Sequence, residues 1–402
     1  MVSFISLLYI LLSTGYMVTS SFTTTPPTKV EYSSTQISPA PAYYPRMFML
    51  TYPNNTQVAA GTVSKITSGS HRIVFVIRTS NTPEIFTELT NVIDDTSGDP
   101  SVDLDNGYTF QMPNGTLICG YRYHIGNNSQ RLYRIQTSIS NDYGNTWSPA
   151  STIIEGPIGV WEPFIYRTSY DENYPNNVHV AYSAELTNGG IQDIVIQNST
   201  DGGFHWMEQS RIHTDGSRNG MPGIVELFDH SLVAIFEGFW TDIWGHFTVN
   251  SARSFDGGLT WPQREIVHTP PSAGFGPNGH TLCSGSPQIN ICPDTGKIVV
   301  VYMTNEPNNG SQPWPAGASL GSVSAHLNYS NPAQLLNWTL VPEAIIPITT
   351  KAAYWPSFLS DPQDPLRKTS TKNGKGIDYS MRIAYQGDDS AAYITDSTVC
   401  ID

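Results

Sequence analysis

Three eight-residue stretches repeat one pattern along the chain: SNDYGNTW at 140–147, STDGGFHW at 199–206 and SFDGGLTW at 254–261. Each reads S-x-D-x-G-x-[TH]-W, and the aspartates Asp142, Asp201 and Asp256 fall 59 and 55 residues apart. These residue types describe a hairpin turn. The aspartate bonds nearby backbone, glycine supplies a positive φ, and Thr adds a side-chain bond. Trp147, Trp206 or Trp261 then fixes the turn onto the sheet below. One copy says little; three at this interval are what successive blades of a β-propeller give. His205 in place of threonine alters the turn alone.

A second recurrence surrounds the turns. A short strand, a turn and an apolar strand follow one another at 46–61, 107–123, 163–183, 223–237, 287–303 and 356–387. Alternation, β-branched content and turn residues mark each as a β-hairpin. The expected fold is all-β: a six-bladed β-propeller with four-stranded antiparallel blades, one domain over 41–402. PEIFTELTNVID (83–94) alone reads as a short helix.

Residues 1–20, MVSFISLLYILLSTGYMVTS, read as a secretory signal peptide. Residues 21–40 read as a Ser/Thr/Pro-rich leader, whose 25–33 segment is able to donate a strand closing the ring against the last blade. A secreted, extracellular protein is therefore expected. Seven N-x-[ST] acceptors (Asn54, Asn114, Asn127, Asn198, Asn309, Asn328 and Asn337) fit that compartment. So do four cysteines: Cys283 with Cys292 and Cys119 with Cys400 is one of three connectivities, and four reduced, buried thiols is an alternative. Only 13% of the residues are charged and the net charge is −14, which argues against nucleic acid and anionic membranes as partners. No later segment is apolar for long enough to span a bilayer. Zinc-type Cys or His spacing, a nucleophile elbow, a phosphate loop and a dinucleotide fingerprint are all missing from the sequence, so no cofactor or metal is expected.

In a propeller the first strand of each unit lines the hub, and polar residues there face ligand. Glu162, in GVWEPFIYR, opens the third unit. Glu237, in LVAIFEGFW, ends an apolar run in the fourth and precedes aromatics. A lone acid is more often a paired or rim group. Two carboxylates in an aromatic pocket are what glycoside cleavage needs, one to protonate the leaving oxygen and one to attack or activate water. Arg46, Arg122, His124, Trp161, Glu185, Arg218, Gln288, Tyr354 and Trp355 stand at comparable places and together suit a sugar: flat aromatic faces for C–H surfaces, charged and amide groups for hydroxyls. For each arginine alone an ion pair, and for each aromatic alone core packing, is the plainer reading.

The three turns resemble the Asp boxes of sialidases and related BNR-repeat proteins, a likeness that marks the scaffold and not an activity. GVWEPF (159–164), AYSAE (181–185), RNGMPGIVEL (218–227) and AIFEGFW (234–240) are similar to the fungal exo-α-1,5-L-arabinanases of glycoside hydrolase family 93, secreted six-bladed propellers. That resemblance implies a retaining enzyme with Glu162 as nucleophile and Glu237 as acid/base, the two carboxylates about 5–5.5 Å apart. It also implies a monomer that acts on an oligo- or polysaccharide and releases arabinobiose. A sialidase, with Arg46, Arg122 and Arg218 as a substrate-carboxylate triad, and a non-catalytic carbohydrate-binding propeller are the rival expectations.

Overall fold

The computed structural model describes residues 34–67, 69–127, 130–186, 190–213, 216–240, 245–270, 279–292, 296–327, 331, 334–341, 352–359 and 381–397. The chain divides between residues 30 and 31. Everything described belongs to the second unit; the expected signal peptide and the 25–33 segment lie outside the described residues.

β1 (Ser34–Ser38) precedes a series of four-stranded antiparallel meanders. The first is β2 (Tyr43–Thr51), β3 (Gln57–Thr67), β4 (Ser70–Asn81) and β5 (Glu84–Asp95). The second is β6 (Asp103–Gln111), β7 (Leu117–His124), β8 (Tyr133–Ser140) and β9 (Ser148–Gly156). An eight-stranded sheet follows. It comprises β10 (Val160–Tyr166), β11 (Val178–Glu185), β12 (Gln192–Ser199) and β13 (Met207–Ile212), then β14 (Arg218–Glu226), β15 (Leu232–Trp240), β16 (His246–Ser254) and β17 (Gln263–His268). One parallel pair, Gln192 with Arg218, joins its two halves. β18 (Ser284–Ile291), β19 (Ile298–Thr304), β20 (Ser319–Ala325) and β21 (Thr339–Leu340) form the next sheet. The last is β22 (Ala353–Leu359), β23 (Met381–Gly387) and β24 (Ala392–Ser397), completed by β1 on its outer edge. The architecture is an all-β propeller of four-stranded antiparallel sheets.

Apolar clusters lie between successive sheets and hold them together. Phe75 and Ile73 of β4 pack with Leu104 and Leu117; Ile165 and Val180 pack with Ile118 and Ile135; Val233 and Ile235 pack with Ile298 and Val300. Each fully buried side chain of this size contributes about 1.5–3 kcal/mol relative to exposure. The first strands, β2, β6, β10, β14, β18 and β22, pack side by side in a closed cycle, β22 returning to β2.

The Asp boxes join third to fourth strands. Ser140, Ser199 and Ser254 each donate to the box aspartate at 2.8 Å. Each of these serines also accepts from the N–H of the second glycine position, Gly144, Gly203 or Gly258, at 2.8–2.9 Å. Thr146 and Thr260 bond Asp142 and Asp256 through both N–H and hydroxyl; in the middle box His205 Nδ1 replaces the hydroxyl, 2.5 Å from Asp201 Oδ2. The tryptophans reach back to the preceding set of four strands: Trp147 lies 5.5 Å from Phe75, Trp206 Nε1 donates to Ser151 Oγ at 3.0 Å, and Trp261 Nε1 to Ser210 Oγ at 3.4 Å.

Two expectations are corrected. Residues 83–94 are no helix; β5 runs through them and pairs with β4. Their helix-like spacing leaves Ile85 and Leu89 exposed, while the alternating positions Phe86 and Val92 pack inward. Pairing with a neighbouring strand overrides a weak local preference. The suggested Cys283–Cys292 and Cys119–Cys400 bridges also fail. Cys119 and Cys283 are free, buried thiols and Cys292 is disulfide-bonded, which excludes the fully reduced alternative as well; Cys400 lies outside the described residues.

Candidate active site

Each first strand carries a one-residue bulge at the same place. Opposite three residues of its partner strand stand four of β2 (Tyr43 to Arg46), of β6 (Asp105 to Tyr108), of β10 (Trp161 to Phe164), of β14 (Gly220 to Gly223), of β18 (Gly285 to Gln288) and of β22 (Tyr354 to Ser357). The first inserted residue is left-handed every time: Tyr44, Asn106, Glu162, Met221, Ser286 and Trp355, with φ between 46° and 55°. Non-glycine residues adopt this conformation at a cost of about 1–3 kcal/mol, and such strain gathers where side chains are aimed at a ligand. Proline follows in five strands and Gly107 in the sixth, where a Cβ would lie 2.5 Å from Ile73.

Between the first strands lies a cleft with about 240 Å³ of empty space, its open mouth included. Arg46, Asn106, Tyr108, Glu162, Pro163, Phe164, Met221, Pro222 and Gln288 line it. Glu162 Oε2 accepts from Ser183 Oγ at 3.3 Å and faces the Met221 N–H at 3.4 Å. Glu237, on β15, stands opposite Gly220. Its Oε2 accepts from the Ser286 N–H at 2.7 Å, and its Oε1 would lie 3.0 Å from a Cβ at Gly220. The two carboxylates therefore meet consecutive residues of β14, Gly220 and Met221. A Cβ at Gly285 would come within 2.6 Å of Glu237 Oε2, so both glycines make room for the acid.

Burial first, and the neighbouring Glu162 charge second, push the Glu237 carboxyl up to about 7 against the opposing pull of the Ser286 N–H and Arg218. Glu237 is half-buried as a residue, but its carboxyl group sits deep in the protein. A carboxylic acid poised near neutrality can both give and take a proton.

The other expected residues divide. Arg46 and Gln288 line the cleft, and Trp355 packs against Tyr44 with the rings tilted by 46° and their centroids 4.4 Å apart. Arg46 spends one amino group on the carbonyls of Trp355 and Pro356, at 3.1 and 3.0 Å, clamping β2 to β22. Arg122 and His124 on β7, Trp161 on β10 and Glu185 on β11 form a connected cluster that includes the residue next to Glu162. Arg122 bonds Asp103 and Asp105 and lies 5.5 Å over the Trp161 ring. Trp161 Nε1 donates to Glu185 at 3.3 Å, and His124 is fully buried edge-on to Trp161. Burial opposes the Arg122 charge, yet Asp105 and Asp103 hold it above its ordinary range; burial lowers the His124 pKa. Arg218 acts on Glu237 by charge, and the Tyr354 hydroxyl accepts from the Gly317 N–H at 3.2 Å. Asn106, Tyr108, Met221 and Tyr44 were not singled out from the sequence. Among the described residues no cluster of three His, Cys, Asp or Glu side chains is arranged to hold a metal, and no helix is long and apolar enough to cross a membrane.

Fold and turns define the class: a β-propeller built with Asp boxes, its two candidate acids at the hub. The BNR repeat-like domain matches residues 73–309, and the chain belongs to that family. Solved structures resemble it along most of its length. An α-L-arabinanase of Penicillium chrysogenum, complexed with arabinobiose, is 18% identical and aligns over 92% of this chain and 99% of its own with a TM-score of 0.59. The family 93 α-L-arabinofuranosidase of Fusarium graminearum, also with arabinobiose, is 17% identical over 92% and 98%, TM-score 0.60. A Dyadobacter fermentans protein of unknown function is 13% identical over 92% and 99%, TM-score 0.61. At such identities the likeness is one of fold: this is a BNR propeller resembling family 93 arabinanases. No curated protein sequence matches the chain.

Proposed function

We propose that the protein is a secreted, monomeric, retaining glycoside hydrolase that works from the end of α-1,5-linked L-arabinan and releases arabinobiose. With the eight-stranded sheet counted as two blades, its propeller has six. The observation that carries the reading is the meeting of Glu162 and Glu237 on consecutive residues of β14, with Glu237 raised to about 7. In the first step Glu162 attacks the anomeric carbon while Glu237 gives its proton to the departing glycosidic oxygen. In the second, Glu237 takes a proton from water, which displaces Glu162 and regenerates both groups. Arabinobiose in two similar propellers supports the choice of sugar. Arg46, Gln288 and Trp355 are the substrate contacts of this proposal within or against the cleft. Arg122, His124, Trp161 and Glu185 brace the nucleophile strand, and Arg218 and Tyr354 border the site. The engagement of Arg46 with carbonyls and Arg122 with aspartates speaks against a sialidase triad.

The test is arabinobiose release from linear arabinan, with sialyl-lactose as control. Glu162→Gln and Glu237→Gln each lower the rate by at least about 10³-fold, and neither lowers the melting temperature. Full activity in either variant rejects the assignment. Turnover of sialyl-lactose alone identifies a sialidase. Arabino-oligosaccharide binding without turnover identifies a lectin-like propeller.

A further inference from the structure

The six left-handed bulge residues differ in one respect that their backbone does not explain. Asn106 is 4% exposed and lines the cleft beside Glu162, yet its side-chain Nδ2 has no hydrogen-bond partner. Asparagine tolerates positive φ better than most residues, which offers a purely conformational reason for its presence. The other five strands refute that reason: Tyr, Glu, Met, Ser and Trp occupy the same conformation. A buried amide N–H left unpaired costs about 1–3 kcal/mol, so an apolar residue here would stabilise the empty protein. Ser286 also has an unpartnered Oγ, but its backbone already serves Glu237. Asn106 is well anchored: its own N–H donates to Asp105 Oδ1 at 2.7 Å, and Arg122 holds Asp105 at 3.3 Å. The backbone is thus held in place while the side-chain amide stays unsatisfied.

We infer that Asn106 is a specificity-determining residue whose side-chain amide donates a hydrogen bond to a hydroxyl of the sugar seated at Glu162. The inference rests on the glycosidase reading above and adds to it the group that senses that sugar's hydroxyl pattern. Tyr44 and Trp355 pack together on β2, which neighbours β6, and on β22 beyond it, so recognition divides in two, apolar sugar faces on the rings and a hydroxyl on the amide.

The test uses the full chain in a Glu162→Gln background, where binding is read without turnover. Arabinobiose affinity is measured by calorimetry with Asn106 intact and with Asn106→Ala or Asn106→Gly, the glycine matching the positive φ. Each substitution weakens binding about tenfold, one hydrogen bond's worth, with a melting temperature unchanged or higher. Monodeoxy arabinobiosides supply the second arm. One of them binds the Asn106 protein about tenfold more weakly than arabinobiose does, and loses nothing further in the Asn106→Ala protein. Unchanged arabinobiose affinity, a large fall in melting temperature in both Asn106 variants, or strictly additive losses for every deoxy sugar overturns the inference while leaving the glycosidase reading intact. Failure of the Glu162→Gln protein itself to bind any arabino-oligosaccharide overturns the substrate reading, and this inference with it.

Discussion

Gly285 and Gly220 shape the site by what they lack. Neither has a left-handed backbone, so neither is there for a turn; a Cβ at Gly285 would sit 2.6 Å from Glu237 Oε2 and one at Gly220 3.0 Å from Oε1. Gly285→Ala is therefore expected to fold normally, displace the Glu237 carboxyl and lower kcat/KM by about 10²-fold, as steady-state kinetics on linear arabinan will show. Glu237 itself carries a stability cost. Its folded pKa of about 7 lies above the ordinary 4.5, so the protonated form is favoured by folding and that stability is lost as pH rises from 4.5 to 7. Glu237→Gln should be more stable than the parent at pH 8, by up to about 3 kcal/mol, and equal to it at pH 4; urea unfolding at the two pH values checks this. Equal stabilities at pH 8 would mean the carboxyl is not buried as described. Glu162 and Glu237 were legible in the sequence because an acid among aromatics is a costly placement. Asn106 was not, since its meaning comes from the loss of a hydrogen-bond partner in three dimensions. Cys283 misled for the same reason: nearness to Cys292 in sequence says nothing of where each thiol points.

The bulged first strand and the Asp box are the elements on which the rest is built. The box is a local structure, the bonds of its serine and aspartate closing within eight residues, and that is why its role was readable from composition and order alone. Removing Asp256 by substitution with alanine deletes bonds from Ser254 Oγ and from the Thr260 N–H and hydroxyl. Because that turn lies away from the cleft, the expected outcome is a loss of about 1–2 kcal/mol in denaturant unfolding with kcat/KM unchanged. A loss of activity without a loss of stability would give the box a role beyond scaffold. The bulge left a sequence trace that went unread: Pro45, Pro163, Pro222, Pro287 and Pro356 each follow a left-handed residue on a first strand. β5 shows the converse. Residues 83–94 carry a helix-like apolar spacing, and only the free edge of β4 makes them a strand.

At the scale of the whole molecule, closing the cycle of first strands brings together residues that the chain keeps far apart. Glu162 and Glu237 are 75 positions distant, on β10 and β15, and converge because β14 lies between them and offers Gly220 to one and Met221 to the other. The last sheet is completed by β1, so the two ends of the described chain are tied by Ser34–Ser38 pairing with β24. The strand period, the repeat interval and the turns made this architecture legible; the convergence at the hub depends on the bulges and could be read only from the structure. Its most direct measurement is the carboxyl titration of Glu237, followed by ¹³C-glutamate NMR in the parent and in Glu162→Gln. A midpoint near 7 in the parent that falls when the Glu162 charge is removed is the result expected of two acids sharing one cleft. An ordinary glutamate midpoint in the parent, or one indifferent to the substitution, would contradict that convergence.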